Sequence, residues 1–220
     1  MQAKQIRQYL EFLKLSGVQD IFLSANSPSA DRAELAAHQL RTLAQKYSSC
    51  QDCALAAGRD KLVYGAGNPI AKLMVISEGP GREENISGQP FVGAAGKLLS
   101  KMLAAIQLER SEIYITNVVK CRPPQNRDPH PEEISACSHI LAEQMEIIQP
   151  RLLLVLGKVA AESLLKQGLS LGAYRQQDNY FRGIRTFVSY HPAALLRHSA
   201  WKKPAWVDLQ KLQKEYKKLK

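Results

Sequence analysis

The chain has 220 residues, 45% of them hydrophobic, which is the composition of one ordinary soluble domain. No run approaches the roughly 18 apolar residues of a membrane span, and Met1 to Tyr9 is polar and amphipathic without the apolar core of a signal peptide, so no membrane-spanning helix is expected and the cytoplasm is the expected location. The formal net charge is +10, and residues 197–220 carry eight Lys or Arg against two acids, which favours a polyanionic partner or, equally on charge alone, a solvated Lys-rich helix.

Residues 3–15 place Ile6, Tyr9, Leu10, Phe12 and Leu13 at helical intervals, and residues 24–29 read as a connector. Residues 1–30 are therefore expected to be an N-terminal helical extension and linker, and residues 31–220 the domain. A helix is expected from about Asp31, a good N-cap residue, to Lys46, with Leu35, Leu40 and Leu43 on one face. It leads into Cys50 and Cys53, a C-x2-C turn; Cys121 follows after 67 intervening residues, and Cys137 after 15 more. Disulfides are not expected in a reducing compartment. The pairing points to a metal centre, and spacing does not choose between zinc and an iron-sulfur cluster, because both accept four thiolates. Four ordinary buried thiols are the plainer alternative.

Further on, Leu73–Ile76, Ile113–Val119, Leu152–Leu156 and Ile184–Ser189 are short apolar runs expected as strands. Ala94–Ile106, Glu132–Ile148, Lys158–Gln167 and Trp201–Lys218 are expected as helices, and residues 78–91 and 121–131, the latter with four prolines, as loops. Strands alternating with helices predict an α/β fold with a parallel sheet covered on both faces. In such folds ligands collect beyond the carboxyl ends of the strands. Glu78 follows the first strand, Asn117 ends the second, and His191 follows the fourth. A carboxylate held by Gly and Pro can orient a water; a histidine opposite can stabilise negative charge on a leaving group; an amide can read a planar polar edge. Phe91, after a Gly-rich bend, can stack on a flat ring. Taken singly, each has an ordinary structural role open to it. Together, after successive strands, they outline a pocket for a nucleobase.

The segments SEGPGREE, GQPFVGAAGKLL, YITNVVKCRPPQNRDP and YHPAALLR, with the four cysteines in register, resemble the family 4 uracil-DNA glycosylases from about Tyr47 to Leu209. The resemblance implies a three-layer α/β/α sandwich around a four-stranded parallel sheet, and a structural [4Fe-4S] cluster on Cys50, Cys53, Cys121 and Cys137. It also implies that Glu78 positions or activates the attacking water and that Phe91 stacks on the flipped uracil. Asn117 and His191 would hydrogen-bond the base, Glu84 would block the 5-methyl group of thymine, and Asn126 would stand at the rim. Two departures stand out: Ser77 where the motif commonly has Gly, and Asn85 at a position often acidic.

On this reading the chain flips uracil out of single- or double-stranded DNA and hydrolyses its glycosidic bond as a monofunctional, monomeric enzyme. Arg122, Arg127, Arg197, Lys202 and Lys203 are the expected phosphate contacts, and Leu195 or Leu196 the expected wedge into the vacated stack. A related iron-sulfur protein that captures uracil sites covalently uses a histidine in a Lys-Arg-Arg-Ile-His loop, which this chain lacks. A noncatalytic DNA-binding module or an electron carrier would explain the thiols and the charge but leave Glu78, Phe91, Asn117 and His191 without a role.

Overall fold

The computed structural model describes residues 11, 12, 14–16 and 28–219. The chain divides into two compact units, residues 1–32 and 33–220. Of the helix expected over residues 3–15, residues 11, 12, 14 and 15 are helical and the others lie outside the described residues, as does most of the connector expected at 24–29. Helix α1, Pro28–Tyr47, begins ahead of Asp31, which sits in its first turn. Asp31 is thus no N-cap, although its charge suits the positive end of the helix dipole. The buried stripe of α1 runs through Ala36, Leu40 and Tyr47, while Leu35, expected on it, is exposed.

The four expected strands form. They are β2 (Leu73–Ser77), β3 (Tyr114–Asn117), β4 (Leu152–Leu156) and β6 (Ile184–Ser189), mutually parallel in the spatial order β3-β2-β4-β6. Two short antiparallel strands flank them, β1 (Ala66–Gly67) beside β3 and β5 (Asn179–Phe181) beside β6, so that among the described residues the sheet has six strands rather than four. Every residue of β2, β3 and β4 is buried. Strands covered on both faces need no polar alternation, which is why they read as continuous apolar runs.

The period of two still sorts their side chains. Met74, Ile76, Leu153 and Val155 face one core, against α4 (Pro131–Ile148) and α5 (Lys158–Leu165). Leu73, Val75, Leu152 and Leu154 face the other, against α3 (Ala94–Ala105) and α8 (Lys202–Lys217). Two helical layers around a sheet are the outcome. Three short helices lie in stretches without apolar periodicity: α2 (Arg82–Ser87), inside the expected 78–91 loop, α6 (Leu171–Gln176) and α7 (Pro192–Arg197). Local chemistry sets their ends. Gly88 closes α2 in the left-handed region, Ser170 Oγ caps α6, and Pro192 opens α7 at its first position.

Candidate active site

The segments beyond the carboxyl ends of β2, β3 and β6 enclose a cavity of about 370 Å³ lined by Glu78, Phe91, Asn117, Asn126, His191 and Arg197, among others. The backbone after β2 is tied to the end of β3: Val118 N donates to Ser77 O at 2.7 Å and Val119 N to Glu78 O at 3.0 Å. Glu78 is therefore held at a fixed height above the sheet. Burial pushes its carboxyl up from 4.5 to about 7, and the charge of Asp128, on the same cavity wall, adds to the rise.

His191 is the N-cap of α7, and its Nδ1 accepts from Ala193 N at 3.1 Å. With Nδ1 an acceptor, a neutral ring carries its proton on Nε2. Burial, and then the charge of Arg197, drives its pKa down from 6.5 to about 4, against a smaller opposing pull from Glu84. The ring is thus a neutral donor at physiological pH. Gly157, at φ +95 after β4, lets the backbone pass beside it; a Cβ there would lie 3.5 Å from that of His191.

Phe91 lies against His191, ring centroids 5.6 Å apart with planes at 31°. It is 6% exposed yet lines the cavity. Its φ of +53 is unusual for a large side chain and is held from three directions. Arg110 donates to Phe91 O at 2.7 Å and also to Pro90 O. Glu84 Oε1 accepts from Val92 N at 2.9 Å and Gly93 N at 3.0 Å. Gly96 packs so closely that a Cβ would stand 1.8 Å from Phe91 O. Glu84, expected as a guard against thymine, is thus also the clasp of the Phe91 turn.

Asn117, 2% exposed, closes β3 with a side-chain amide that has no hydrogen-bond partner among the described residues. The Asn117 backbone carbonyl accepts from Lys120 Nζ at 2.7 Å, and this fully buried ammonium also donates to Thr116 Oγ1 and Gln144 Oε1 at 2.6 and 2.8 Å. Burial pushes Lys120 down to about 7. Sequence reasoning missed both Lys120 and Asp128; a lysine ending the apolar run after β3 was the available signal for the first.

The other expected residues separate. Asn126 stands at the mouth, its Oδ1 accepting from Arg122 Nε at 2.8 Å. Arg127 grips Glu133 through both terminal nitrogens, at 2.9 and 2.7 Å, and its guanidinium also holds Asp128 O, so it braces the loop on which Asp128 stands. Arg197, Lys202 and Lys203 are exposed. Leu195 needs correction: it is 2% exposed and packed in the core with Leu209 and Leu212, so it has no way into a base stack. Leu196, 52% exposed, is the one of the pair that faces outward.

On the opposite face of the sheet, Cys121 and Cys137 are buried in the α4 side of the core and Cys50 and Cys53 pack against the same cluster. Arg59 Nη1 donates to Cys121 Sγ and Lys120 N to Cys137 Sγ, each at 3.3 Å. Burial raises the thiols of Cys121 and Cys137, against the opposing pull of Arg59 on the first and Lys120 on the second. Among the described residues, no three His, Cys, Asp or Glu groups converge to hold a single metal ion. No helix among them is long and apolar enough to cross a membrane.

Residues 64–210 match the model of the uracil DNA glycosylase superfamily. The chain is 38% identical over 181 residues to a type-4 uracil-DNA glycosylase of Archaeoglobus fulgidus, covering 79% of this chain and 91% of that protein. A type-4 uracil-DNA glycosylase of Saccharolobus solfataricus is 40% identical over 183 residues, 79% of this chain and 85% of its own. A type-5 uracil-DNA glycosylase of Pyrobaculum aerophilum is more distant, 33% identical over 146 residues, 59% of this chain and 64% of its own.

Proposed function

The chain belongs to the uracil-DNA glycosylase superfamily, among its type-4 members, and from that premise we propose how its own residues carry out the reaction. It is a monofunctional glycosylase that removes uracil from DNA by hydrolysing the N-glycosidic bond, the first step of base excision repair. The uracil leaves the stack and enters the cavity, where Phe91 covers its face and the Asn117 amide reads its polar edge. As the bond to C1′ lengthens, the sugar gains positive charge and the base becomes an anion. His191 donates its Nε2 proton in a hydrogen bond to the carbonyl oxygen on which that charge collects. Glu78, ionised, faces the sugar cation and accepts a proton from the water that attacks C1′, giving the abasic site, while the departed uracil anion takes up a proton from solvent to become free uracil.

The observation that carries these roles is that loops from three different strands bring Glu78, Asn117, Phe91 and His191 into one cavity of about 370 Å³. Glu78→Gln and His191→Ala should each cut single-turnover uracil release by 10²-fold or more, on the order expected for loss of a base or an oxyanion donor, with DNA affinity within a few-fold. Release at the normal rate by both variants overturns the roles. An adduct stable to SDS would mark covalent capture instead of hydrolysis.

Cys50, Cys53, Cys121 and Cys137 are proposed to hold a [4Fe-4S] cluster. Support comes from four thiols gathered on one core face with N–H donors on two of the sulfurs. The cluster would serve as a covalent tie between α4, the proline loop and the C-x2-C turn; iron and sulfide content and the visible spectrum of the purified protein test it. Residues 31–220 are proposed as the glycosylase domain, acting as a monomer on DNA, with residues 1–30 as an extension.

A further inference from the structure

Behind the pocket mouth four planar groups stand in series. The Arg175 guanidinium lies 4.3 Å from the centre of the Tyr190 ring. Tyr190 stacks on Trp201 with centroids 5.1 Å apart and planes at 22°. Trp201 meets His198 at 4.3 Å and 36°. The inner end is anchored in the fold: Arg175 pairs with Asp208 at 2.7 and 3.1 Å, and Asp208 also accepts from Ser189 Oγ at 2.8 Å. The outer end is open, with His198 exposed and Trp201 retaining 38% of its surface. Aromatic groups already fixed in place lose little further freedom when a ligand docks on them.

The surroundings indicate the ligand. Arg197, Lys202 and Lys203 are exposed and adjoin the stack in sequence. Arg197 also lines the uracil cavity, and its charge reaches His191. His191 and His198 bracket α7. At 1.5 Å per residue that helix sets them about 10 Å apart, the length of about three nucleotides at the duplex rise of 3.4 Å and fewer if the strand is stretched. A strand leaving the pocket past Arg197 thus arrives at the stack within three nucleotides. Exposed aromatics flanked by cations are the means by which proteins hold single strands, because every base offers a face to stack. In a duplex both faces of a base are already covered.

We propose that the His198–Trp201 end of this stack is a subsite for an unpaired nucleobase one to three nucleotides from the uracil on the same strand, with Arg197, Lys202 and Lys203 on the intervening phosphates. The proposal rests on the glycosylase reading and extends it to single-stranded or frayed substrate.

The test uses the full chain and single-stranded oligonucleotides holding one uracil, with 2-aminopurine at each of the three positions on either side in turn. The wild type and Trp201→Phe should quench the probe at one or two positions, and Trp201→Ala at none. KM of Trp201→Ala for single strands should rise about five-fold or more, with kcat unchanged and little change on a fully paired duplex. Replacing the sensitive flanking base by an abasic residue should raise the wild-type KM by a similar factor and leave that of Trp201→Ala unmoved. This last comparison needs only the wild type if the alanine variant misfolds. Uracil release without position-specific quenching, or equal losses on single strands and duplex, overturns the subsite and leaves the glycosylase standing. Quenching without uracil release overturns the glycosylase reading and leaves the subsite.

Discussion

The pH dependence of single-turnover excision separates Glu78 as the acting base from Glu78 as a bystander in the loop. Its carboxyl is pushed up to about 7, first by burial and then by Asp128, while the His191 imidazole is pushed down to about 4. If the ionised carboxylate is the working form, the rate follows its ionised fraction: about one tenth one pH unit below the midpoint and about nine tenths one unit above. Excision should therefore rise about ten-fold between about pH 6 and about pH 8, and fall about ten-fold for each further unit of acidification. His191 stays neutral through this range and adds no descending limb. Asp128→Asn removes a negative charge beside the carboxyl, so ionisation becomes easier and the midpoint moves down. The variant should outpace the wild type near pH 6 and match it near pH 8. Rapid-quench measurement with enzyme in excess over a labelled uracil oligonucleotide but below saturation gives the second-order rate, which reports the free enzyme's midpoint. A flat profile between about pH 5 and pH 8, or a midpoint that moves upward in Asp128→Asn, refutes the assignment.

Three further substitutions probe the scaffold. Gly96→Ala puts a Cβ 1.8 Å from Phe91 O and must displace the Phe91 turn; excision should fall on the order of 10²-fold, as expected for a misplacement of about 1 Å, in the same rapid-quench assay. Ser77 Oγ is buried with no hydrogen-bond partner among the described residues, so Ser77→Ala should stabilise the protein by about 1 kcal/mol in denaturant unfolding, with excision unchanged. Glu133, held by Arg127 and by His130 N at 2.7 Å, has its carboxyl lowered from 4.5 to about 2. Its contribution is complete above pH 4.5 and is lost as pH falls through about 2. Glu133→Gln should cost about 1–3 kcal/mol at neutral pH and flatten the acid limb of stability; an unchanged acid limb would show that the pair does not matter.

The parallel strands were legible because burial on both faces leaves β2 and β4 almost wholly apolar, with polar residues only at Ser77 and, in β3, at Thr116 and Asn117, in runs too short for helices. The site segments were legible because they follow those strands. Other features depend on folding in ways that periodicity does not record. β1 and β5, two and three residues long, exist only because β3 and β6 offer them an edge. Helix α2 buries only Asn85 among its residues, so it has no apolar stripe to recognise. Leu195 and Leu196 are chemically identical neighbours, and only the rotation of α7 decides that the first packs in the core. Arg127 reads as a phosphate ligand until Glu133 is placed six residues away across the loop. Asp128 becomes relevant to Glu78 only when the proline loop folds over the cavity.

Burial acts on both proposed groups in the useful direction, because desolvation disfavours the charged form of each: it raises a carboxyl and lowers an imidazole. Neighbouring charges come second for both, Asp128 for Glu78 and Arg197 for His191. That ordering matters once DNA arrives. A phosphate that pairs with Arg197 cancels the cation that helps keep His191 neutral and adds negative charge nearby, so the imidazole pKa must rise on binding. From about 4, a rise of even about two units leaves the ring mostly neutral at pH 7. The same phosphate field raises Glu78 further from about 7, which moves the base toward its protonated form. The enzyme–DNA complex should therefore show a higher midpoint than the free enzyme, and added salt, by screening the phosphates, should bring the two together.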